Sequence, residues 1–136
     1  METETQTEIR SATDIVTARQ RGRALALELG FNGADVTLIA AAISEVARNI
    51  VDHAKKGEIT MAGVHSAQNG GKTGIQIIAR DEGPGIRDVA QAMQYGYSTR
   101  KGLGVGLPGA KWLMDEFDIA SEVGRGTTIT MKKWRR

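Results

Sequence analysis

Across residues 33–54 the side chains Val36, Ile39, Ala40, Ile43, Ala47 and Ile50 recur at helical intervals. A helix of about six turns with one apolar stripe needs another layer to cover that stripe, so the rest of the chain has to supply one. A second helix is expected ahead of it, over residues 14–29. Thr13 and Asp14 mark its start, Ile15, Val16, Leu25, Leu27 and Leu29 are its apolar residues, and Gly30 ends it. Its face carries Arg19, Arg21 and Arg23. Residues 58–64 and 74–80 read as strands, and Asn69-Gly70-Gly71 between them is a hairpin signal that makes the two antiparallel neighbours. Residues 81–106 are glycine-rich and read as a loop with one short helix near 89–94. A helix is expected over 106–117, with Leu107, Ala110, Leu113, Met114 and Phe117 on one face. Strands over 118–123 and 127–134 then flank Gly124-Arg125-Gly126. This order is α+β, with helices packed on one face of a mixed, mostly antiparallel sheet.

At 136 residues the chain is the size of one domain, and residues 1–136 are expected to share a single core. Aromatic residues make up only 4% of it, so that core must be aliphatic. The excess of 18 basic over 16 acidic side chains is a net charge of +2, too small to point to nucleic acid or a membrane surface as a partner. The acidic, Thr-rich residues 1–8 and the basic finish of Lys132, Lys133, Arg135 and Arg136 read as solvated termini. With no cysteine and two histidines lacking partner spacing, neither a disulfide nor a zinc site is expected. No stretch approaches the roughly 18 consecutive apolar residues of a membrane span, and a cytoplasmic protein is expected.

Two glycine patterns are decoys. Gly71-Lys72-Thr73 lacks the earlier glycine of a phosphate-binding P-loop, because that position is Ser66. Gly104-Val105-Gly106-Leu107-Pro108-Gly109 matches a dinucleotide fingerprint, but Tyr97-Ser98-Thr99-Arg100-Lys101 ahead of it is not a buried strand and too little chain follows.

Four other features occur in a fixed order. Glu45 and Asn49 lie one turn apart on the long helix, so a carboxylate able to take a proton stands beside an amide oxygen suited to Mg²⁺. Asp81-Glu82-Gly83-Pro84-Gly85-Ile86 follows an apolar strand, where a tight turn lets backbone approach a flat ligand and the Asp can accept from an amino group such as that of adenine. Gly102-Leu103-Gly104-Val105-Gly106-Leu107 opens a helix and can cradle phosphates on its backbone N–H groups, with Arg100 and Lys101 just before it. Gly124-Arg125-Gly126-Thr127-Thr128 turns between the last strands and adds a hydroxyl facing the base. Taken singly, each has a plain reading as a solvated helix edge, a surface turn or a hairpin.

Together the order E-x-x-x-N, D-x-G-x-G, G-x-G-x-G, G-x-G-T resembles the GHKL ATPase superfamily over nearly the whole chain. Within it the chain resembles the stand-alone serine kinases of bacterial partner-switching systems, the RsbT-type switch kinases of the stressosome, through residues 18–23, 42–51 and 102–110. The resemblance implies a Bergerat-type ATP-binding fold, with Glu45 as general base toward a partner's Ser or Thr hydroxyl and Asn49 as the Mg²⁺ ligand. It implies Asp81 on the adenine amino group with Gly83, Gly85 and Ile86 beside it and Thr127 acting through a water. Lys101, Gly102, Leu103, Gly104, Val105, Gly106 and Leu107 would hold the phosphates, Arg100 would neutralise the transferring group, and residues 87–101 would form a lid over ATP. The substrates it implies are STAS-domain stressosome proteins, and a PP2C-type phosphatase is the partner to be activated. Histidine autophosphorylation is not expected, since no helical phospho-acceptor module precedes the ATP-binding part, and His53 reads as structural. The alternative is an anti-sigma factor-type protein that sequesters its partner with ATP as ligand; it would need no base, so Glu45 argues for catalysis. A general ATPase would need a positioned water instead.

Overall fold

The computed structural model describes residues 4–67, 71–85, 93 and 106–135. Strand β1 (Glu4–Ile9) is followed by helices α1 (Ala12–Glu28) and α2 (Gly33–His53), strands β2 (Gly57–Ser66) and β3 (Lys72–Asp81), helix α3 (Gly106–Leu113), and strands β4 (Glu116–Glu122) and β5 (Gly126–Trp134). The strands form one sheet in the order β1-β2-β3-β5-β4, and every pairing is antiparallel. The α+β expectation holds.

Strand alternation sorts the sheet into two faces. Cross-strand rows such as Thr7–Ile59–Ala79–Ile129–Ile119 and Met61–Ile77–Met131–Phe117 run along one face and meet the helices. The other face carries Gln6, Glu8, Glu58, Arg80 and Thr128, with Gln6 Nε2 donating to Glu58 Oε2 across β1 and β2. Helix α2 lies over the apolar face and buries Val36, Ile39, Ile43, Val46 and Ile50. Asn32 caps it by accepting the Asp35 N–H at 2.8 Å. Helix α1 packs along α2 through its buried residues Ile15, Ala18, Gly22, Leu25 and Ala26, three of them small. A side chain at Gly22 would overlap Ile43 Cδ1 and press on Met61 Sδ, which places α1, α2 and β2 in contact at one point. The Asp14 carboxylate accepts the N–H groups of Arg10 (2.8 Å) and Ser11 (3.2 Å) at the start of α1.

Four expectations are corrected. Residues 4–9 are not a solvated tail: they form an edge strand, with Thr7 and Ile9 turned to the core and Glu4 and Glu8 outward. Of the basic finish, Lys132, Lys133 and Arg135 are likewise structural, and Arg136 lies outside the described residues. Lys132 and Lys133 lie in β5, and the ammonium of Lys133, a residue 6% exposed, donates to the Leu113 carbonyl at 2.9 Å at the C-terminal end of α3. The helix expected to reach Phe117 stops at Leu113, because Phe117 pairs with Met131 in β4 and faces the core from there. In α1, Val16 and Leu27 point to solvent, not to the core. The short helix expected near 89–94 and the Asn69-Gly70 corner of the β2–β3 hairpin lie outside the described residues, although β2 and β3 pair as that hairpin requires.

The end of β3 is tightly enclosed. Gly126 has φ +117°, and a Cβ there would overlap the Asp81 carbonyl oxygen. A Cβ on Gly83 would sit 2.5 Å from Ala54 Cβ, and the Gly124 N–H donates to the Pro84 carbonyl at 2.9 Å. The turn after β3 is thereby pinned between the end of α2 and the β4–β5 turn.

Two substitutions test this packing. Ile43→Ala removes a fully buried side chain where α1, α2 and β2 meet and is expected to cost about 2–5 kcal/mol, read from the denaturant midpoint. Gly126→Ala forces a side chain into both a left-handed backbone and the Asp81 carbonyl, and a loss of about 2 kcal/mol or more is expected in the same assay.

Candidate active site

The position of α2 on the sheet sets the direction of its polar residues. At about 100° per residue, Glu45 and Asn49 fall roughly a third of a turn from the stripe of Val36, Ile39, Ile43, Val46 and Ile50. That flank is the one α3 packs against, while α1 covers the other. Asn49 is half-buried, and its neighbour Ile50 is fully buried.

Glu45 is held at both carboxylate oxygens. The Gly106 N–H, the first of α3, donates to Oε1 at 3.0 Å, and Arg48 Nη1 lies 3.2 Å from Oε2, one turn along α2. The Glu45 side chain is 11% exposed and that of Arg48 31%, so this ion pair is partly withdrawn from water. Gly106 has φ +68°, in the left-handed region that glycine enters without a steric cost. A helix N-terminus that accepts a carboxylate is the same device that accepts a phosphate.

Asp81 closes β3 and is 8% exposed. Its Oδ1 accepts the Gly83 N–H at 3.0 Å, a local turn that fixes the carboxylate. Asp81 pairs in register with Gly57 on one side and Thr127 on the other. A methyl on Gly57 would lie 3.0 Å from both Asp81 Cβ and Ile50 Cγ2, which puts Asp81 beside the residue that follows Asn49. Thr127 is 4% exposed, and its hydroxyl lies 2.7 Å from that of Ser121. Gly106, Glu45, Asn49, Asp81 and Thr127 therefore follow one another past the C-terminal half of α2. Leu107 is buried in the first turn of α3.

Cavities of about 440 and 370 Å³ touch Asp81 but are lined by Arg80, Glu82 and, in the smaller one, Thr128, from the sheet face away from the helices; neither includes Asn49 or Gly106. The expected Ile86, Arg100, Lys101, Gly102, Leu103, Gly104 and Val105, and the expected lid over 87–101, lie outside the described residues. Among the described residues no group of three or more His, Asp or Glu side chains forms a metal cluster. An Asn oxygen standing alone on the protein side suits Mg²⁺, which takes most of its ligands from water and phosphate.

The three arginines of α1 do not act as one face. Arg21 Nη1 reaches back to β1, donating to the Gln6 carbonyl and the Thr7 hydroxyl at 3.0 Å each. Arg19 and Arg23 instead line a groove of about 580 Å³ between α1 and α2 that also includes Ser44 and ends at Glu45. Sequence reasoning missed Arg48. It lies within the E-x-x-x-N stretch, three residues after Glu45, and that helical spacing was the available signal.

Comparison with known proteins places the chain in a family. The family model of the histidine kinase-like ATPase domain matches residues 10–133. The serine/threonine-protein kinase RsbT of Bacillus subtilis (strain 168) is 53% identical over 123 residues, spanning 90% of this chain and 90% of that protein. The anti-sigma F factor of Thermoanaerobacter sp. (strain X514) is 32% identical over 120 residues, spanning 86% of this chain and 82% of its own. Among solved structures, a chain of the SiaB–SiaC complex from Pseudomonas aeruginosa aligns with a TM-score of 0.52 over 97% of this chain and 89% of that one; at 11% identity the likeness concerns the fold alone. The chain belongs to the histidine kinase-like ATPase domain family, and within it to the serine/threonine kinases of the RsbT type.

Proposed function

We propose that this kinase transfers the γ-phosphate of ATP to a Ser or Thr hydroxyl on a STAS-domain partner protein, in the cytoplasm, and that Glu45 is its general base. The observation that carries this reading is the placement of Glu45: a carboxylate oriented by two donors, one turn from Asn49, at the first N–H of α3. A protein that only bound nucleotide would have use for Asn49, Asp81 and the helix N-terminus, but not for a base at that point. The groove lined by Arg19, Arg23 and Ser44 ends at Glu45 and offers the partner's hydroxyl an approach from outside the nucleotide.

In this reading Asp81 accepts a hydrogen bond from the adenine amino group, with Gly83 and Gly85 keeping the neighbouring backbone close and Thr127 assisting through a water. The first N–H groups of α3, at Gly106 and Leu107, face the phosphates, and Lys101, Gly102, Leu103, Gly104 and Val105 complete the cradle. Ile86 borders the base and Arg100 offsets charge on the transferring group. Asn49 would hold Mg²⁺, which would supply positive charge against the phosphate oxygens. Glu45 takes the proton of the acceptor hydroxyl as its oxygen bonds to the γ-phosphorus; the bond to the bridging oxygen breaks and ADP leaves with that oxygen. A second role, activation of a PP2C-type phosphatase, follows from the same resemblance.

The second reading, sequestration of a partner with ATP as ligand, draws on the anti-sigma F factors that are 32% identical to this chain. Transfer of labelled γ-phosphate from Mg-ATP to STAS-domain proteins of the same genome separates the two. Label is expected on a partner Ser or Thr. Asp81→Asn is expected to weaken ATP binding about tenfold or more, because a charge-assisted hydrogen bond is lost. Glu45→Gln is expected to slow transfer about a hundredfold or more. Tight ATP binding with no label on any STAS protein would overturn the STAS-domain substrate and favour sequestration of the partner. For the second role, the phosphatase turnover of a PP2C partner is expected to rise when the chain is added, and no change at saturating concentration would remove that role.

A further inference from the structure

The Gly106 N–H is claimed twice. In the structure it donates to Glu45 Oε1 at 3.0 Å, and in the reading proposed above it faces an ATP phosphate. One N–H directed at a carboxylate cannot also serve a phosphate, and two anions that close repel each other. Seating the nucleotide therefore displaces the carboxylate from Gly106, which is also what frees Oε1 to take a proton. A carboxylate released from one of its two donors needs the other to stay in place. That other donor is Arg48, whose Nη1 lies 3.2 Å from Oε2 and which stands on the same helix, one turn along.

We propose that Arg48 is the positioning residue of the phosphotransfer reaction: it holds Glu45 while the Gly106 N–H passes from the carboxylate to the ATP phosphate. This rests on Glu45 being the base. In this role Arg48 acts through the carboxylate of Glu45. Its guanidinium suits the task because a planar, permanently charged group fixes the orientation of a carboxylate, where an ammonium on a flexible stem fixes only its distance. The arrangement also couples base and substrate. Without ATP the base is occupied by the phosphate cradle; with ATP it is available, directed by Arg48 toward the groove that carries Arg19 and Arg23.

The test uses the full chain with Mg-ATP and a phosphorylatable partner, comparing Arg48→Met, Arg48→Lys, Glu45→Gln and the double Arg48→Met/Glu45→Gln, each checked for an unchanged thermal midpoint. Arg48→Met is expected to lower kcat about tenfold or more while KM for the partner changes little, since a base misplaced by about an ångström loses transition-state stabilisation and not binding. Arg48→Lys should recover part of that loss and serves as the second variant if the Met form is unstable. The double variant should be no slower than Glu45→Gln alone, because the two residues act as one unit. Glu45→Gln should bind ATP about two- to tenfold more tightly than wild type in a fluorescent-nucleotide titration, as the phosphate no longer displaces a carboxylate from Gly106. If Glu45→Gln cripples transfer but Arg48→Met keeps the wild-type kcat, the positioning role is wrong. If Glu45→Gln binds ATP no better than wild type, the shared donor is wrong. If Glu45→Gln transfers phosphate at the wild-type rate, the fault lies in the general-base reading itself.

Discussion

The site depends on how α2 is buried. Five aliphatic side chains, Val36, Ile39, Ile43, Val46 and Ile50, project from one stripe of this 21-residue helix into the sheet, and each of them is at most 1% exposed. Burial of each is worth about 1.5–3 kcal/mol, so rotating the helix about its axis would cost far more than any polar contact on its flank could return. The azimuth of Glu45 and Asn49 follows from that packing and not from their own interactions. With α1 on one side and α3 on the other, α2 cannot roll, and the carboxylate of Glu45 is presented to the start of α3 by the rigidity of the core beneath it. A polar pair placed this way has its backbone positions fixed before any ligand arrives.

Much of this was legible in the sequence, because local periodicity and the buried layer agree along most of the chain. α2 is expected over 33–54 and found at Gly33–His53; α1 and the strands β2 and β3 fall within a few residues of expectation. Failures cluster where tertiary contact overrides local pattern. Residues 4–9 offer a single strongly apolar side chain, Ile9, and look like a tail until β2 pairs with them. Phe117 fits the helical spacing of Leu113 and Met114 equally well, and only its pairing with Met131 assigns it to a strand. Lys133 reads as a charged terminus, since no sequence rule indicates that its ammonium will find the Leu113 carbonyl at the end of α3.

The site shows the same division. The order of motifs singled out Glu45, Asn49, Asp81, Gly106 and Thr127 as candidates, and strand register with helix packing brings these five into one line. The glycines carry a double meaning that sequence does not separate. Gly83 and Gly126 are required by the close approach of Ala54 and of the Asp81 carbonyl, whether or not a nucleotide lies nearby. Their packing role and a ligand role are compatible, because the contacts that exclude a side chain also fix the backbone around Asp81. Contact between Glu45 and Gly106 was not legible, since 61 residues separate them and a side-chain rotamer has no sequence signature.

Relatives of this chain include proteins named as kinases and proteins named as anti-sigma factors, at 53% and 32% identity over most of its length. A fold shared by both kinds of protein leaves the difference to individual side chains. Both activities can use a buried acid at a strand end and an open helix N-terminus. Catalysis asks for one thing more, a base whose orientation survives the arrival of a polyanion beside it. A carboxylate held only by the N–H it yields to phosphate would swing free on nucleotide binding. A carboxylate also held by an arginine on its own helix keeps a fixed pivot, and the Glu45–Arg48 pair has that form. The feature that bears most directly on kinase against sequestration is thus the second tie on Glu45, one helical turn from the first.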